Sequence, residues 1–378
     1  MTVLASISVE PMLFITTTAG TALATPLAIK AAIRLGFVDR PAPHKFHQRT
    51  TPYLGGAAVG LSVLVALVVA VALVPERRVQ TVTIALCGLA IAGIGLLDDW
   101  RILGALPRLA VQAGAGLALW ASGIRVSATG AVLIDLPLMV FVVLAVTNAV
   151  NLLDNMDGIS VGTVAIASAF FFLAAYSQGQ RLVPILALTL AGACLGFLPF
   201  NFSPARIFLG DAGALLIGFI VAAIALKLEL PGYPAITRLA VPALILAVPI
   251  FDMSLVVLSR WRAGRPVFRG ATDHCSHRLV AVGASPRTTA LITYAAAALT
   301  GAIALLLLQV RSSAITWGAL AVGTILAGIL LWLFEKVPVA TPRFAESEAP
   351  PPPRSAPTGS SPVVVSAGLV TPTATRRH

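Results

Sequence analysis

The sequence predicts an all-α fold, a polytopic bundle of about eleven transmembrane helices. Of its 378 residues 58% are hydrophobic and only 11% charged, where a soluble domain carries about 25% charged residues. The apolar residues also come in unbroken runs that approach the ~20 residues a helix needs to cross a bilayer. No long polar segment interrupts those runs before residue 338, so residues 1–337 read as one integral membrane domain.

The expected spans are 12–33, 54–74, 79–97, 109–124, 131–147, 159–176, 182–199, 212–228, 235–258, 288–308 and 314–334. The first is retained as a helix because no Lys or Arg precedes Lys30, so the basic start of a cleavable signal peptide is missing. The second opens on Gly55-Gly56, which lets backbone approach backbone, and the third closes on two acids. The fourth and fifth are short, and the fifth carries Asp135. The ninth carries Asp252. After residue 337 the composition turns to Pro, Ser, Thr and Ala, and nine of the 26 prolines fall in 338–378. Such a segment cannot bury a core and is expected to be a disordered cytoplasmic tail.

The net charge of +11 is a matter of topology rather than of nucleic-acid binding. Alternating sides along the spans puts 19 of the 26 Lys and Arg on one side and 7 on the other. The basic side, with Lys45, Arg49, Arg101, Arg206, Arg262, Arg265, Arg269 and Arg278, is then cytoplasmic. The N-terminus is expected outside and the C-terminus inside. Cys87 and Cys194 fall mid-span and Cys275 in a loop, which gives no disulfide framework.

Five connections share the basic side: 34–53, 98–108, 148–158, 200–211 and 259–287. In the first, HKFHQRTTPYLGG, Lys45 and Arg49 can meet phosphate, although a topological anchor explains them as simply. In GLLDDWR, the adjacent Asp98 and Asp99 sit at the carboxyl end of a helix, where acids oppose the local dipole. One could serve as a base and the other orient it or approach a cation.

The stretch NAVNLLDNMDGIS places Asn148, Asn151, Asp154 and Asp157 three residues apart. On a regular helix each such step turns the side chain back by about 60°, so all four converge only if the backbone tightens or breaks. Gly158 favours a break. Convergence would gather two amide oxygens and two carboxylates, hard ligands for Mg²⁺ and partners for a sugar or uracil. In ARIFLGDAGALL, Asp211 either caps a helix or holds a cation. The segment RWRAGRPVFRGATDHCSHRLV supplies arginine forks suited to a pyrophosphate, with His274 and His277 close enough to share a site. A zinc site at His274, Cys275 and His277 lacks the second ligand pair such sites use. Asp252, inside the membrane, is either functional or a hydrogen-bonded element of the bundle. Together these parts suit phosphoryl-group transfer between a nucleotide-linked substrate and a membrane lipid.

In this order, the DD pair, NxxNxxD with a following DG, FLGDAG and the H..HR loop resemble the polyprenyl-phosphate N-acetylhexosamine-1-phosphate transferase family. The likeness spans roughly residues 30–290. It implies transfer of a sugar 1-phosphate from a UDP-N-acetylhexosamine to undecaprenyl or another polyprenyl phosphate, releasing UMP, with Mg²⁺ required and Mn²⁺ as a substitute. It also implies a plasma-membrane enzyme with a cytoplasmic site. By this resemblance Asp98 deprotonates or positions the lipid phosphate, with Asp99 beside it. Asn151 and Asp211 match metal positions, and Asp154 and Asp157 lie near nucleotide and metal. Lys45 matches a phosphate contact, and His274, His277 and Arg278 match the diphosphate-binding loop. Asn148 is grouped with the substrate-binding residues. Two positions depart from the family pattern. Asn155-Met156 replaces a glycine-containing step, and Ser276 stands where a further histidine is usual.

The expected partners are the two substrates, the bilayer and a second copy of the chain, and not nucleic acid. A transporter with a polar vestibule is the competing class, but transporters place ionisable groups near the midplane, where Asp252 alone could lie. A CDP-alcohol phosphatidyltransferase fails because Ile159, Ser160, Val161 and Gly162 follow Asp157-Gly158 in place of its signature.

Overall fold

A computed structural model of the chain describes residues 9–39, 50–101, 103–126, 129–266 and 273–338. Lys45, Arg49, Arg269 and the tail beyond residue 338 lie outside the described residues. The chain forms α1 (Val9–Leu35), β1 (Val38–Asp39), β2 (Thr51–Pro52), α2 (Gly55–Leu73), α3 (Arg78–Trp100) and α4 (Ala105–Ala121). There follow α5 (Val132–Leu153), α6 (Ile159–Tyr176), α7 (Leu182–Asn201), α8 (Gly210–Lys227) and α9 (Ala235–Ile245). The last elements are α10 (Ala247–Arg262), α11 (Cys275–Ala281), α12 (Pro286–Val310) and α13 (Ser313–Glu335). Helices dominate because a backbone in hydrocarbon has no water to bond, and a helix satisfies its own N–H and C=O groups.

Among the described residues nine helices are long and apolar enough to cross a membrane, or ten with α9 and α10 counted as one bent span. The expected fourth span is α4, a helix of 17 residues. The expected fifth extends to Leu153, so Asn148 and Asn151 stand on its last turns. Its Asp135 is buried but satisfied, accepting from the Thr129 N–H at 3.0 Å, the Thr129 hydroxyl at 2.9 Å and the Gly130 N–H at 2.9 Å. An acid in the first turn also complements the helix dipole.

The expected ninth span is corrected. It breaks at Leu246 into two helices bent by 77°. Pro249 lies in the first turn of α10 and has no N–H to donate to the Ile245 carbonyl, so the helical ladder lacks that bond across the break. Beside the break, α5, α8, α9 and α10 leave a mostly apolar cavity of about 730 Å³, lined by Leu138, Phe141, Val142, Pro242, Leu246 and Ile250 among others.

The bundle is built around α8, which packs against α2, α3, α5 and α7 and is 83% buried over its apolar window. Helices in lipid associate through close packing of small residues rather than through hydrophobic expulsion from water. At Gly95 of α3 a Cβ would lie 2.7 Å from Ala212 Cα of α8, so those two backbones nearly touch. By contrast α13 buries only Thr316, whose hydroxyl meets that of Thr237 at 2.9 Å. Its apolar side chains face outward, as expected of a peripheral membrane helix.

The small antiparallel pair β1–β2 aligns Val38 with Pro52. It continues into the segment before α8: Phe208 N–H donates to Pro52 O at 2.8 Å, and Gly56 N–H donates to Leu209 O at 2.7 Å. The first connection is thereby fastened to the start of α8.

Candidate functional site

The residues that end α3, begin α4, end α5 and begin α8 meet at one end of the bundle. Arg108, on the first turn of α4, sets the centre. Its Nη1 lies 2.6 Å from Asp98 Oδ2 and 2.9 Å from Asp211 Oδ2, so one guanidinium bridges acids 113 positions apart in sequence. The Leu103 N–H also donates to Asp98 Oδ1, at 2.6 Å. Sequence reasoning missed Arg108, because a lone arginine at a helix start carries no motif and reads as a topological charge.

The adjacent acid has a different task. Asp99 accepts from the backbone N–H groups of Asp211, at 2.9 Å, and Ala212, at 3.1 Å. It therefore caps α8 from a neighbouring helix, satisfying donors that a helix start leaves open. Gly210 makes this possible. Its φ is +74°, and a Cβ there would lie 2.8 Å from both Asp99 Oδ2 and Tyr53 O.

The register of α5 against α8 places the second group. At Gly218 a Cβ would lie 2.8 Å from Thr147 O and 3.1 Å from Val150 Cβ, so those positions are level. Seven residues along each antiparallel helix, about 10 Å, Asp154 comes level with Asp211. Asp154 closes α5, with its N–H on Asn151 O at 3.2 Å, the tightened turn that the three-residue spacing required. Its carboxyl is pushed up to about 8 by burial first, then by the negative charge of Asp211, Asp157 and Asp99. Asp157 accepts from Ala205 N–H at 2.9 Å, which ties the α5–α6 turn to the segment before α8. Gly158, at φ +76°, starts α6, and its N–H donates to Asn201 Oδ1 at 3.1 Å. Asn201, buried at the end of α7, also donates to Ile207 O at 3.0 Å. A buried amide in an apolar helix was the signal that could have found it.

Asn148 is not brought to this cluster. Its amide donates to Gln112 Oε1 at 2.6 Å and to Leu144 O at 2.8 Å, one turn along α4 from Arg108. Asn151 is placed differently: its Oδ1 is buried and has no hydrogen-bond partner among the described residues. A buried acceptor without a donor costs about 1–3 kcal/mol, and a cation would satisfy it.

Cation chemistry fits these residues in part. Asn151 offers an amide oxygen that has no partner among the described residues, and burial first, then the charges of Asp211, Asp157 and Asp99, raise the Asp154 carboxyl. No three Asp, Glu, His or Cys groups converge as a ligand set among the described residues. A magnesium ion here would complete its shell with water and substrate phosphate oxygens, its usual habit.

The third group is the loop after α10. His274 Nδ1 lies 2.8 Å from Asp252 Oδ2, and Cys275 N–H donates to Asp252 Oδ1 at 2.8 Å. The His274 and His277 rings meet edge to face, 5.7 Å apart. Burial first, and then its neighbour His274, pull His277 down to about 4, so it is neutral at pH 7. Arg278 is turned away from any open surface. It donates to Asp273 O, Phe334 O, Val337 O and Ser259 Oγ, fastening α11 to the end of α13. Arg260 and Arg265 pair with Asp273 at 3.1 and 2.6 Å, and outweigh the burial that would otherwise raise that carboxyl. The Ser276 hydroxyl donates to Asn155 Oδ1. The two positions that depart from the family pattern thus bond to each other, and through them the imidazole loop reaches the turn that holds Asp154.

Comparison with known proteins places the chain in a family. Residues 81–229, from α3 through α8, match the model of glycosyl transferase family 4. A probable undecaprenyl-phosphate N-acetylglucosaminyl 1-phosphate transferase of Bacillus subtilis is 32% identical over 281 residues, covering 71% of this chain and 77% of the relative. A decaprenyl-phosphate N-acetylglucosaminephosphotransferase of Mycobacterium tuberculosis is 33% identical over 297 residues, 70% of this chain and 74% of the relative. A phospho-N-acetylmuramoyl-pentapeptide-transferase of Geobacillus is 29% identical over 290 residues, 69% and 86% respectively. With its membrane bundle, its ordered motifs and these relatives, the chain belongs to glycosyl transferase family 4, the polyprenyl-phosphate N-acetylhexosamine-1-phosphate transferases.

Proposed function

We propose that this chain transfers an N-acetylhexosamine 1-phosphate from a UDP-sugar to a polyprenyl phosphate and so initiates a cell-envelope polysaccharide. The observation that carries this reading is the Asp98–Arg108–Asp211 bridge, set level with Asp154 where the end of α3, the start of α4, the end of α5 and the start of α8 meet. An oxygen of the lipid phosphate attacks the phosphorus that bears the sugar. The bond from that phosphorus to the UMP oxygen breaks, and the products are a lipid-linked diphosphate sugar and UMP. Asp98 positions the attacking phosphate or takes its proton, and Arg108 supplies positive charge beside it. Asp99 acts at one remove, by fixing the start of α8. Asn151, Asp154 and Asp211 would hold Mg²⁺, which would neutralise diphosphate charge and polarise the reacting phosphorus.

The cavity beside the α9–α10 break supports entry of the lipid chain from the bilayer plane. The basic bias of the loops supports a plasma-membrane enzyme with this end of the bundle in the cytoplasm. The loop reads His274-Cys275-Ser276-His277, without the run of three histidines that the resemblance gives the pentapeptide transferases, which speaks against the pentapeptide-bearing substrate. The test is a membrane assay with labelled UDP-N-acetylhexosamines, Mg²⁺ and a polyprenyl phosphate, comparing wild type with D98N and D211N. The expected result is UMP release that requires both substrates and is lost in each variant. Near-normal turnover in either variant, or sugar movement without UMP release, would refute it.

A further inference from the structure

Asp252 has no place in the chemistry above. It lies within α10, 2% exposed, and both of its oxygens are engaged by the loop that follows. One accepts the Cys275 backbone N–H at the start of α11. The other faces the Nδ1 of His274, a ring 4% exposed. A carboxylate can only accept, so the proton between the two must sit on Nδ1. The geometry points to Asp252 as a positioning residue: it fixes the tautomer of His274, so that Nε2 is the nitrogen left to meet the sugar-nucleotide donor. This inference rests on the transferase reading, and extends it to a residue buried in the membrane.

The physical reasoning follows from how histidine works. Which ring nitrogen is free is decided by the bond the other makes. With its proton held on Nδ1, the ring offers the Nε2 lone pair as an acceptor for an N–H or O–H of the donor's uracil or sugar. One carboxylate holds Cys275 with Oδ1 and the ring with Oδ2, so loop position and ring state have one source.

The variant that separates the two roles is D252N. Its amide oxygen can still accept from Cys275 N–H, so the loop stays tied. Its amide nitrogen now donates to His274 Nδ1, which forces the proton onto Nε2 and takes away the lone pair with which that nitrogen accepts. Loss of a group that orients a metal-bound histidine costs roughly 10–100-fold in activity or affinity, and a loss of that order is expected here. The experiment uses the full chain in lipid nanodiscs, labelled with ¹⁵N-histidine, with H274Q to assign the signal. In wild type the Nδ1 resonance of His274 should be protonated, and in D252N it should become unprotonated. The KM for UDP-N-acetylglucosamine should rise at least tenfold in D252N, the KM for polyprenyl phosphate should stay within about twofold, and D252E should recover much of the loss.

An unprotonated Nδ1 in wild type would overturn the inference, and needs no variant to observe. So would a D252N protein that keeps its donor KM, or one that loses both substrates equally, since that is the mark of a merely structural acid. Absence of any lipid-linked product from wild type would instead refute the transferase reading, leaving the resonance test intact.

Discussion

Replacing Arg108 by methionine tests the centre of the site. Asp98 Oδ2 and Asp211 Oδ2 lie 2.6 and 2.9 Å from the same guanidinium nitrogen, so they are no more than 5.5 Å apart. Two unit charges at that distance repel by about 3 kcal/mol at an effective dielectric of about 20. The Asp211 side chain is 35% exposed, so solvent screens part of this and about 1–3 kcal/mol remains. R108M keeps the length and apolar stem of the side chain but leaves that repulsion uncompensated. The protein should melt at a lower temperature in detergent, and added Mg²⁺ should raise its melting point more than that of wild type, because a divalent ion can replace the lost charge between the acids. Transfer of the sugar phosphate should fall at least 100-fold, with R108K intermediate, since an ammonium offers the charge without the planar fork. Thermal melts with and without Mg²⁺, beside the membrane assay, check both. An R108M protein with wild-type melting, no added response to Mg²⁺ and normal turnover would refute the reasoning.

Two further outcomes are expected. Asp154 has its proton affinity raised to about 8, so its contribution favours the metal-free fold fully below the ordinary carboxylate range and is lost as pH rises through about 8. Metal-free protein should therefore melt lower at pH 9 than at pH 6, and D154N should flatten that difference; an unaltered difference would show that another group is responsible. The Ser276–Asn155 bond joins the imidazole loop to the turn after α5. In a double-mutant cycle with S276A and N155A, donor affinity should show a coupling of about 0.5–1.5 kcal/mol, and strict additivity would show that the bond does not link the two loops in function.

Much of this was legible in the chain. The apolar runs locate the helices, and the spacing of Asn151, Asp154 and Asp157 anticipates a break where α5 ends at Leu153. What was not legible depends on partners far apart in sequence. Asp98 and Asp99 look equivalent as neighbours, yet a helix turns successive side chains by about 100°, so one meets Arg108 and the other the start of α8. Arg278 reads as a phosphate fork, but carbonyls at the end of α13, more than 50 residues away, engage it instead. Asn148 belongs by spacing to the polar series and by helix rotation to Gln112. The break at Leu246 was not legible: Pro249 lies just beyond it, but Pro26, Pro137 and Pro199 sit inside apolar helices that continue as single elements, so a proline alone does not locate a break.

The cap that Asp99 places on α8 has a mechanical consequence. A rod held at its tip by two bonds from a neighbour, and wrapped by protein along most of its length, has little contact with lipid. When a membrane thickens or thins, the mismatch is taken up by tilting helices that touch the acyl chains, and α13 is the most exposed of these. The two bonds from Asp99 tie the end of α3 to the tip of α8, so a tilt of α3 in response to the lipids around it is passed to the start of α8, and the two acid-bearing ends move together.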